Sequence, residues 1–167
     1  ERFQFINISN DDLYPSLIEF AAFFGSINCF KFLYQKLEKF PQKISEYAVA
    51  GGNYEIIHLC EQKGVVFNDS SLMQSIRFFR PEITNYLEEN FGLEKTINDV
   101  SKSIVYYNLR SLIESDEIIS QDPNALNEGG YTILSLTCFN GDLDIIIYLI
   151  HKYGDKIDIN AKTSTGC

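Results

Sequence analysis

A short motif recurs along the chain at a nearly fixed interval, and this repeat constrains the fold more than any other feature. Aligned on a small residue, the five copies are centred on Ala21, Ala48, Ser75, Ser103 and Thr137. The steps between them are 27, 27, 28 and 34 residues. Such periods are typical of stacked helical repeats, in which each unit buries its apolar face only against its neighbours.

Each copy predicts two short helices joined by a turn. Four residues after the small residue stands a glycine in three copies, whereas Phe79 and Tyr107 stand there in the third and fourth. The next residue is usually a good helix N-cap, whose side-chain oxygen can accept a hydrogen bond from a free backbone N–H. These predicted caps are Ser26, Asn53, Asn108 and Asp142, while Arg80-Pro81 replaces the cap in the third copy.

Apolar residues then follow at helical spacing and predict the buried face of each second helix. The expected buried positions are Ile27, Phe30, Leu33, Ile56, Leu59, Cys60, Ile83, Tyr86, Leu87, Leu109, Leu112, Ile113, Leu143, Ile146 and Ile150. A single pair of such short helices cannot bury this face alone, so the copies are expected to stack.

The fifth copy is the most specific. From Asn127 it reads N-E-G-G-Y-T-I-L-S-L-T-C-F-N-G-D-L-D-I-I-I-Y-L-I, and D-I-N-A follows at 158–161. This order resembles the ankyrin repeat, D-x-x-G-x-T-P-L-H-x-A-A-x-x-G-H followed by an aliphatic helix and G-A-D-V-N-A. Ile133 and Ser135 depart from it, because they replace the family's proline and histidine.

The shorter steps of the earlier copies leave about six residues too few for the β-turn finger of a 33-residue ankyrin repeat. Residues 15–120 resemble the degenerate helical-repeat domain of unassigned function that precedes ankyrin arrays in protist proteins. The fold expected is an all-α, ankyrin-like solenoid of about five helix pairs with one β-hairpin finger near residues 120–132.

Three segments are expected along the chain. Residues 1–126 would form the degenerate repeats, 127–161 a regular ankyrin repeat, and 162–167 the start of a truncated further repeat. The last of these is inferred from Gly166, which lies 36 residues after Gly130. Residues 1–14 contain Phe3, Phe5, Ile6 and Ile8 and are a candidate cover for the opposite end of the stack.

Charge and composition exclude several classes of function. A net charge of −9 would repel a nucleic-acid backbone. No apolar run approaches the ~20 residues that span a bilayer, and no signal pattern precedes the repeats, so membrane insertion is not expected and a cytoplasmic location is. The four cysteines form no C-x-x-C pair, which predicts reduced thiols and neither a metal site nor a cofactor.

No catalytic residues are predicted. The nearest candidates for a nucleophile pair are Cys60 and His58, but residues two apart on a helix point to different faces. The chain is therefore expected not to be an enzyme.

The resemblance instead implies a binding scaffold. In ankyrin proteins the two residues after the paired alanines, together with the finger, line the concave face that binds other proteins. Transferred to this sequence, the candidates are Phe23, Phe24, Arg77, Phe78, Tyr106, Glu128, Tyr131, Phe139 and Asn140. Two alternatives stay open: the aromatic rings pack as core, or the chain is a structural spacer or regulatory arm of a longer protein with a separate effector domain.

Overall fold

The computed structural model describes residues 14–164, all of whose regular secondary structure is α-helical. The chain divides into two units, the first ending at Leu93 and the second beginning at Glu94. The first holds α1 (Leu17–Phe23), α2 (Ile27–Tyr34), α3 (Ile44–Gly51), α4 (Tyr54–Gln62), α5 (Asp69–Arg77) and α6 (Pro81–Phe91). The second holds α7 (Ile97–Val105), α8 (Leu109–Glu114), α9 (Asp116–Gln121), α10 (Ile133–Asn140) and α11 (Leu143–Tyr153).

Three helix pairs form the first unit. Within each repeat the first helix packs on the second, and the first helices also pack side by side, α1 on α3 and α3 on α5. One continuous apolar core results, which includes Ile18, Ala22, Phe30, Ile56 and Leu72. Because the second repeat is covered on both sides, its small residues Ala48 and Ala50 are almost fully buried.

The second unit combines two helix pairs with one additional helix. Helix α7 packs on α8 and α10, and α10 packs on α11. Its core includes Val100, Ile104, Leu112, Ile133 and Leu149. The additional helix α9 contacts α7 and α8 and buries Ile119. Helix α9 was not predicted, because residues 116–121 lie outside the repeated motif.

The predicted N-caps are confirmed at three of the four positions. Asn53 accepts hydrogen bonds from the N–H groups of Glu55 and Ile56, while Asn108 and Asp142 each accept one from the third residue of their helices. Ser26 is the exception, since its side chain makes no capping bond. Pro81 is the first residue of α6, as expected.

The prediction of a β-hairpin finger near residues 120–132 is wrong, because residues 14–164 contain no strand. This segment forms turns instead: the Asn127 N–H donates to the Tyr131 carbonyl, and the Gly130 N–H donates to the Asn127 carbonyl. A lone two-stranded hairpin is marginally stable and needs a neighbouring strand. The earlier repeats are too short to contain a finger, so they provide no neighbouring strand.

The buried faces predicted for α8 and α11 are also partly wrong. Leu143 and Ile150 are exposed, whereas Ile145, Leu149 and Tyr153 are buried. Likewise Leu109 and Ile113 of α8 are about half exposed, and only Leu112 of the predicted set is buried. Nearly every residue between 143 and 150 is apolar, so spacing alone does not single out one face of α11.

The three predicted segments, 1–126, 127–161 and 162–167, stay a prediction. Residues 1–14 were expected to cover one end of the stack, and all of them except Tyr14 lie outside the described residues. Gly166, expected to open a further repeat, also lies outside them.

Candidate partner-binding surface

In the first unit, four of the predicted binding residues lie together at the ends of the first helices. The Phe23 ring packs edge-to-face against Phe78 and against Phe24, with centroids 5.3 Å apart in each case. The Arg77 guanidinium lies 5.4 Å from the centre of the Phe78 ring. We call Phe23, Phe24, Arg77 and Phe78 the aromatic ridge.

The ridge joins the first and third repeats across the second. The equivalent residues of the second repeat are Ala50 and Gly51, which have almost no side chain to separate Phe23 from Phe78. A Cβ atom added to Gly51 would overlap the Ala22 carbonyl oxygen and lie 2.8 Å from that of Phe23. Glycine at position 51 therefore lets α1 and α3 approach closely enough for the two rings to meet.

The ridge is partly packed and partly open to solvent. Phe23 and Phe78 are half-buried against the core of the first unit, and Arg77 is also half-buried. Phe24 is 60% exposed. Both interpretations of the aromatic residues thus apply to different members: Phe23 and Phe78 contribute to packing, while Phe24 presents its ring to solvent.

The other five predicted binding residues lie in the second unit. Phe139 is 82% exposed near the end of α10, and Tyr131 is 38% exposed just before this helix. The Asn140 side chain donates a hydrogen bond of 3.2 Å to the Ile104 carbonyl, so it ties α10 to α7. Tyr106 is half-buried, and the Glu128 side chain is exposed.

Two hydrogen bonds fix the turn that carries Glu128 and Tyr131. The Glu128 N–H donates to the Asn98 side-chain oxygen at 2.8 Å, and the Tyr131 N–H donates to that of Asn127 at 3.0 Å. The backbone N–H of Ser164 also donates to the Gly130 carbonyl. The turn is therefore held in one position even though it forms no strand.

Phe79 and Tyr107 are exposed aromatic residues that the search for binding positions missed. Both have a φ of 56°, the left-handed conformation adopted at the equivalent position by Gly25, Gly52 and Gly141. Their side chains are 55% and 56% exposed. The signal in the sequence is the aromatic residue that replaces the turn glycine in the third and fourth copies.

The Cys60 thiol is poorly suited to nucleophilic chemistry. Cys60 is fully buried, and burial raises its pKa to about 12, with a smaller contribution from the nearby Glu61 carboxylate. The thiolate is the reactive form, so this thiol is protonated and inert near neutral pH. His58 is directed to Glu61, whose carboxylate lies 2.8 Å from its Nδ1 atom.

A polar network in the second unit joins α9 to the end of α11. The Lys152 ammonium lies 2.6 Å from an Asp116 carboxylate oxygen, and the Tyr153 hydroxyl donates to the same oxygen. These hydrogen bonds lower the pKa of Asp116, and the Asp116 carboxylate raises the pKa of Lys152. Each charged group is thus satisfied by a partner within the chain, which favours a structural role for the network.

Residues 14–164 offer neither a metal-binding cluster nor a membrane-spanning helix. No group of three or more His, Cys, Asp or Glu side chains is placed to hold a metal ion. None of the described helices is long and apolar enough to cross a membrane.

Short helix pairs that pack on their sequence neighbours define a helical-repeat protein. Residues 34–115 match the family model of a domain of unknown function, DUF3447, and residues 129–164 match the ankyrin repeat. The chain is therefore similar to the ankyrin repeat in its last part and to this domain in the part before it, which confirms the resemblance seen in the sequence. No curated protein matches the chain.

The ankyrin match indicates a role in protein–protein interaction. Ankyrin repeats are typically non-catalytic interaction modules. The match begins at Gly129 and includes Tyr131, Phe139 and Asn140, three of the predicted binding residues.

Proposed function

We propose that this protein is a non-catalytic scaffold that binds another protein through the face carrying the ends of its first helices, the concave face in the ankyrin family. The main support is Phe139, which is 82% exposed within the ankyrin repeat. Packing inside its own repeat does not explain an aromatic side chain left in water. Aromatic and arginine side chains are common anchors of protein interfaces.

Two groups of residues would contact the partner. In the second unit these are Tyr131, Phe139 and the exposed carboxylate of Glu128, together with Tyr106 and Asn140, which occupy equivalent positions of the fourth and fifth repeats. In the first unit they are the residues of the aromatic ridge, of which Phe24 is the most exposed. Half-buried rings such as Phe78 add rigidity, because they lose little side-chain freedom on binding.

The test is quantitative affinity capture from cell lysate with the full chain as bait. We expect Tyr131→Ala/Phe139→Ala to reduce capture of specific partners by about tenfold or more, as hot-spot truncations of ~2 kcal/mol do. The matched control is Leu143→Ala/Ile147→Ala, which removes comparably exposed apolar side chains from α11 in the same repeat. Equal loss in both variants, or in neither, would contradict the proposed face.

A second pair tests the other residues. Phe78→Ala with Tyr106→Ala should also reduce partner capture, and a thermal melt of each variant separates loss of the surface from loss of the fold. If the partners are unchanged in all binding variants, the chain acts as a structural spacer or regulatory arm, which is the alternative function.

A further inference from the structure

An apolar surface lies on the exposed side of the first helix pair. Two cavities of about 580 and 470 Å³ adjoin there, and both are lined by Leu17 and Leu33. The larger one also contacts Cys29, Phe24 and Phe32. We call this surface the α1–α2 groove.

The equivalent surface of the second repeat is covered by a neighbouring helix pair, whereas the groove is exposed. Leu17 is 75% exposed, but Ile44, its equivalent 27 residues later, is 1% exposed. Cys29 is exposed, while its equivalent Ile56 is fully buried. In the second repeat these positions are covered because α1 and α2 pack on α3 and α4. The groove is thus a stacking face without a neighbour among residues 14–164.

We propose that residues 1–13 of the same chain occupy the α1–α2 groove. The segment is attached beside this groove. Helix α1 begins at Leu17, which lines both cavities, and Ser16 caps the helix together with Glu19. Ser16 and Leu17 both line the smaller cavity, so the segment that precedes them is tethered at the edge of the groove.

The composition and length of residues 1–13 suit the groove. Four of the six residues from 3 to 8 are apolar: Phe3, Phe5, Ile6 and Ile8. Thirteen residues can reach about 40 Å when extended, which is enough to cross one helix pair. The segment thus provides large apolar side chains at high effective concentration, because it is tethered beside the surface.

Charge complementarity gives the third argument. Asp11 and Asp12 lie next to the attachment point in sequence. Lys39 lines the smaller cavity, and the Lys36 ammonium lies 5.8 Å from the centre of the Phe32 ring on the larger one. An acidic end on the segment therefore matches a basic rim on the groove.

The experiment measures the alkylation rates of individual cysteines by iodoacetamide and peptide mass spectrometry on the full chain. Cys29 and Cys138 are both exposed in the described structure, but only Cys29 lines the groove. An occupant that covers the groove most of the time should slow the reaction of Cys29 about tenfold relative to that of Cys138. Equal rates would overturn the proposal.

Two variants identify the occupant. Phe5→Asp/Ile8→Asp should raise the Cys29 rate to that of Cys138, whereas Gln4→Asp/Asn7→Asp adds the same charge at polar positions and should leave Cys29 protected. Protection that survives Phe5→Asp/Ile8→Asp, or that disappears on dilution as for a second copy of the chain, would overturn the proposal. Cys60 is the control for folding, because it is buried. If Cys60 becomes reactive in Phe5→Asp/Ile8→Asp, that variant has lost its fold, and Phe5→Ala/Ile8→Ala is used in its place.

Phe24 lines the groove and also belongs to the aromatic ridge, so an occupied groove removes Phe24 from the partner-binding face but leaves Phe23, Arg77 and Phe78. The substitutions in residues 4–8 leave Phe78, Tyr131 and Phe139 intact, so protection of Cys29 and capture of partners can each fail alone.

Discussion

Backbone conformation at single positions has consequences for stability that side-chain contacts do not reveal. Phe79 and Tyr107 adopt a positive φ, where a Cβ atom crowds the backbone and where glycine is favoured. Both side chains are more than half exposed, so burial of the ring offsets little of this strain. An exposed aromatic residue at a strained turn is a reason to test these positions for binding as well as for stability.

For Phe79 we predict that Phe79→Gly is more stable than Phe79→Ala by about 1 kcal/mol, because only glycine relieves the positive φ. Both substitutions remove the ring, so the comparison isolates the backbone term. Urea denaturation provides the measurement. Val66 has an ordinary φ and is 75% exposed, and there the order of the two variants should reverse. An advantage for alanine at Phe79 would show that the turn relaxes out of this conformation.

Gly51 is predicted to be sensitive for a different reason, the close approach of α1. Alanine usually stabilises a helix by up to about 1 kcal/mol relative to glycine. We nevertheless expect Gly51→Ala to lower the free energy of unfolding by ~2 kcal/mol or more, since its Cβ atom would meet backbone carbonyl oxygens that cannot move independently. Gly64→Ala is the control, because a Cβ atom there meets nothing within 4 Å. Its smaller cost, from positive φ alone, should be about 1 kcal/mol.

Glu46 is predicted to make stability depend on pH. Burial raises its pKa despite the opposing charge of Lys43. The folded chain therefore binds this proton more tightly than the unfolded chain, and the resulting stabilisation is present at low pH and is lost as the pH rises through the raised pKa. We expect Glu46→Gln to raise Tm at about pH 7 and to have little effect near pH 4. The exposed Glu89→Gln should change Tm much less, and an equal rise for both would exclude burial as the cause.

At the scale of helices, polar side chains connect one repeat to the preceding one. The Asn53 amide donates to the Gly25 carbonyl, and the Arg80 guanidinium donates to the carbonyls of Ala50 and Gly51, all at 3.3 Å. Asn53 and Arg80 occupy equivalent positions of successive repeats. Each donates to carbonyl groups at the end of a first helix, where no further helical turn supplies N–H donors.

Replacement of Arg80 tests this connection. Arg80→Met keeps the apolar stem but leaves the carbonyls of Ala50 and Gly51 without their donors, so we expect a loss of about 1 kcal/mol in the free energy of unfolding. The matched control is Arg110→Met, because Arg110 is mainly solvent-exposed and pairs with Glu114. Similar small effects of both changes in thermal melts would argue that the connection contributes nothing to stability.

At the scale of the whole molecule, the two units have separate cores and are expected to respond separately to damage. Leu149 is fully buried in the second unit and Leu72 in the first. Leu149→Ala should cost ~2–5 kcal/mol and speed amide hydrogen exchange mainly in residues 94–164. Leu72→Ala should produce the reciprocal pattern in residues 14–93. Acceleration throughout the chain in both variants would mean that the units unfold as one.

The sequence determined the repeat and most of its local structure. The spacing of Ala21, Ala48 and Ser75 located the helix pairs, since helical periodicity and capping depend on neighbouring residues. The caps at Asn108 and Asp142 followed from the same local chemistry. The ankyrin match at residues 129–164 likewise depends on the order of residues within one repeat.

Only the tertiary structure decided which faces are buried and which binding candidates meet. It placed Phe23 against Phe78 across Gly51, a contact between residues two repeats apart that no local pattern specifies. It buried Leu149 and left Ile150 exposed, although both are aliphatic neighbours in α11. The turn before α10 formed no hairpin for the same reason: strands and buried faces depend on the neighbour that packs against them, whereas helices and caps satisfy their hydrogen bonds within a few residues.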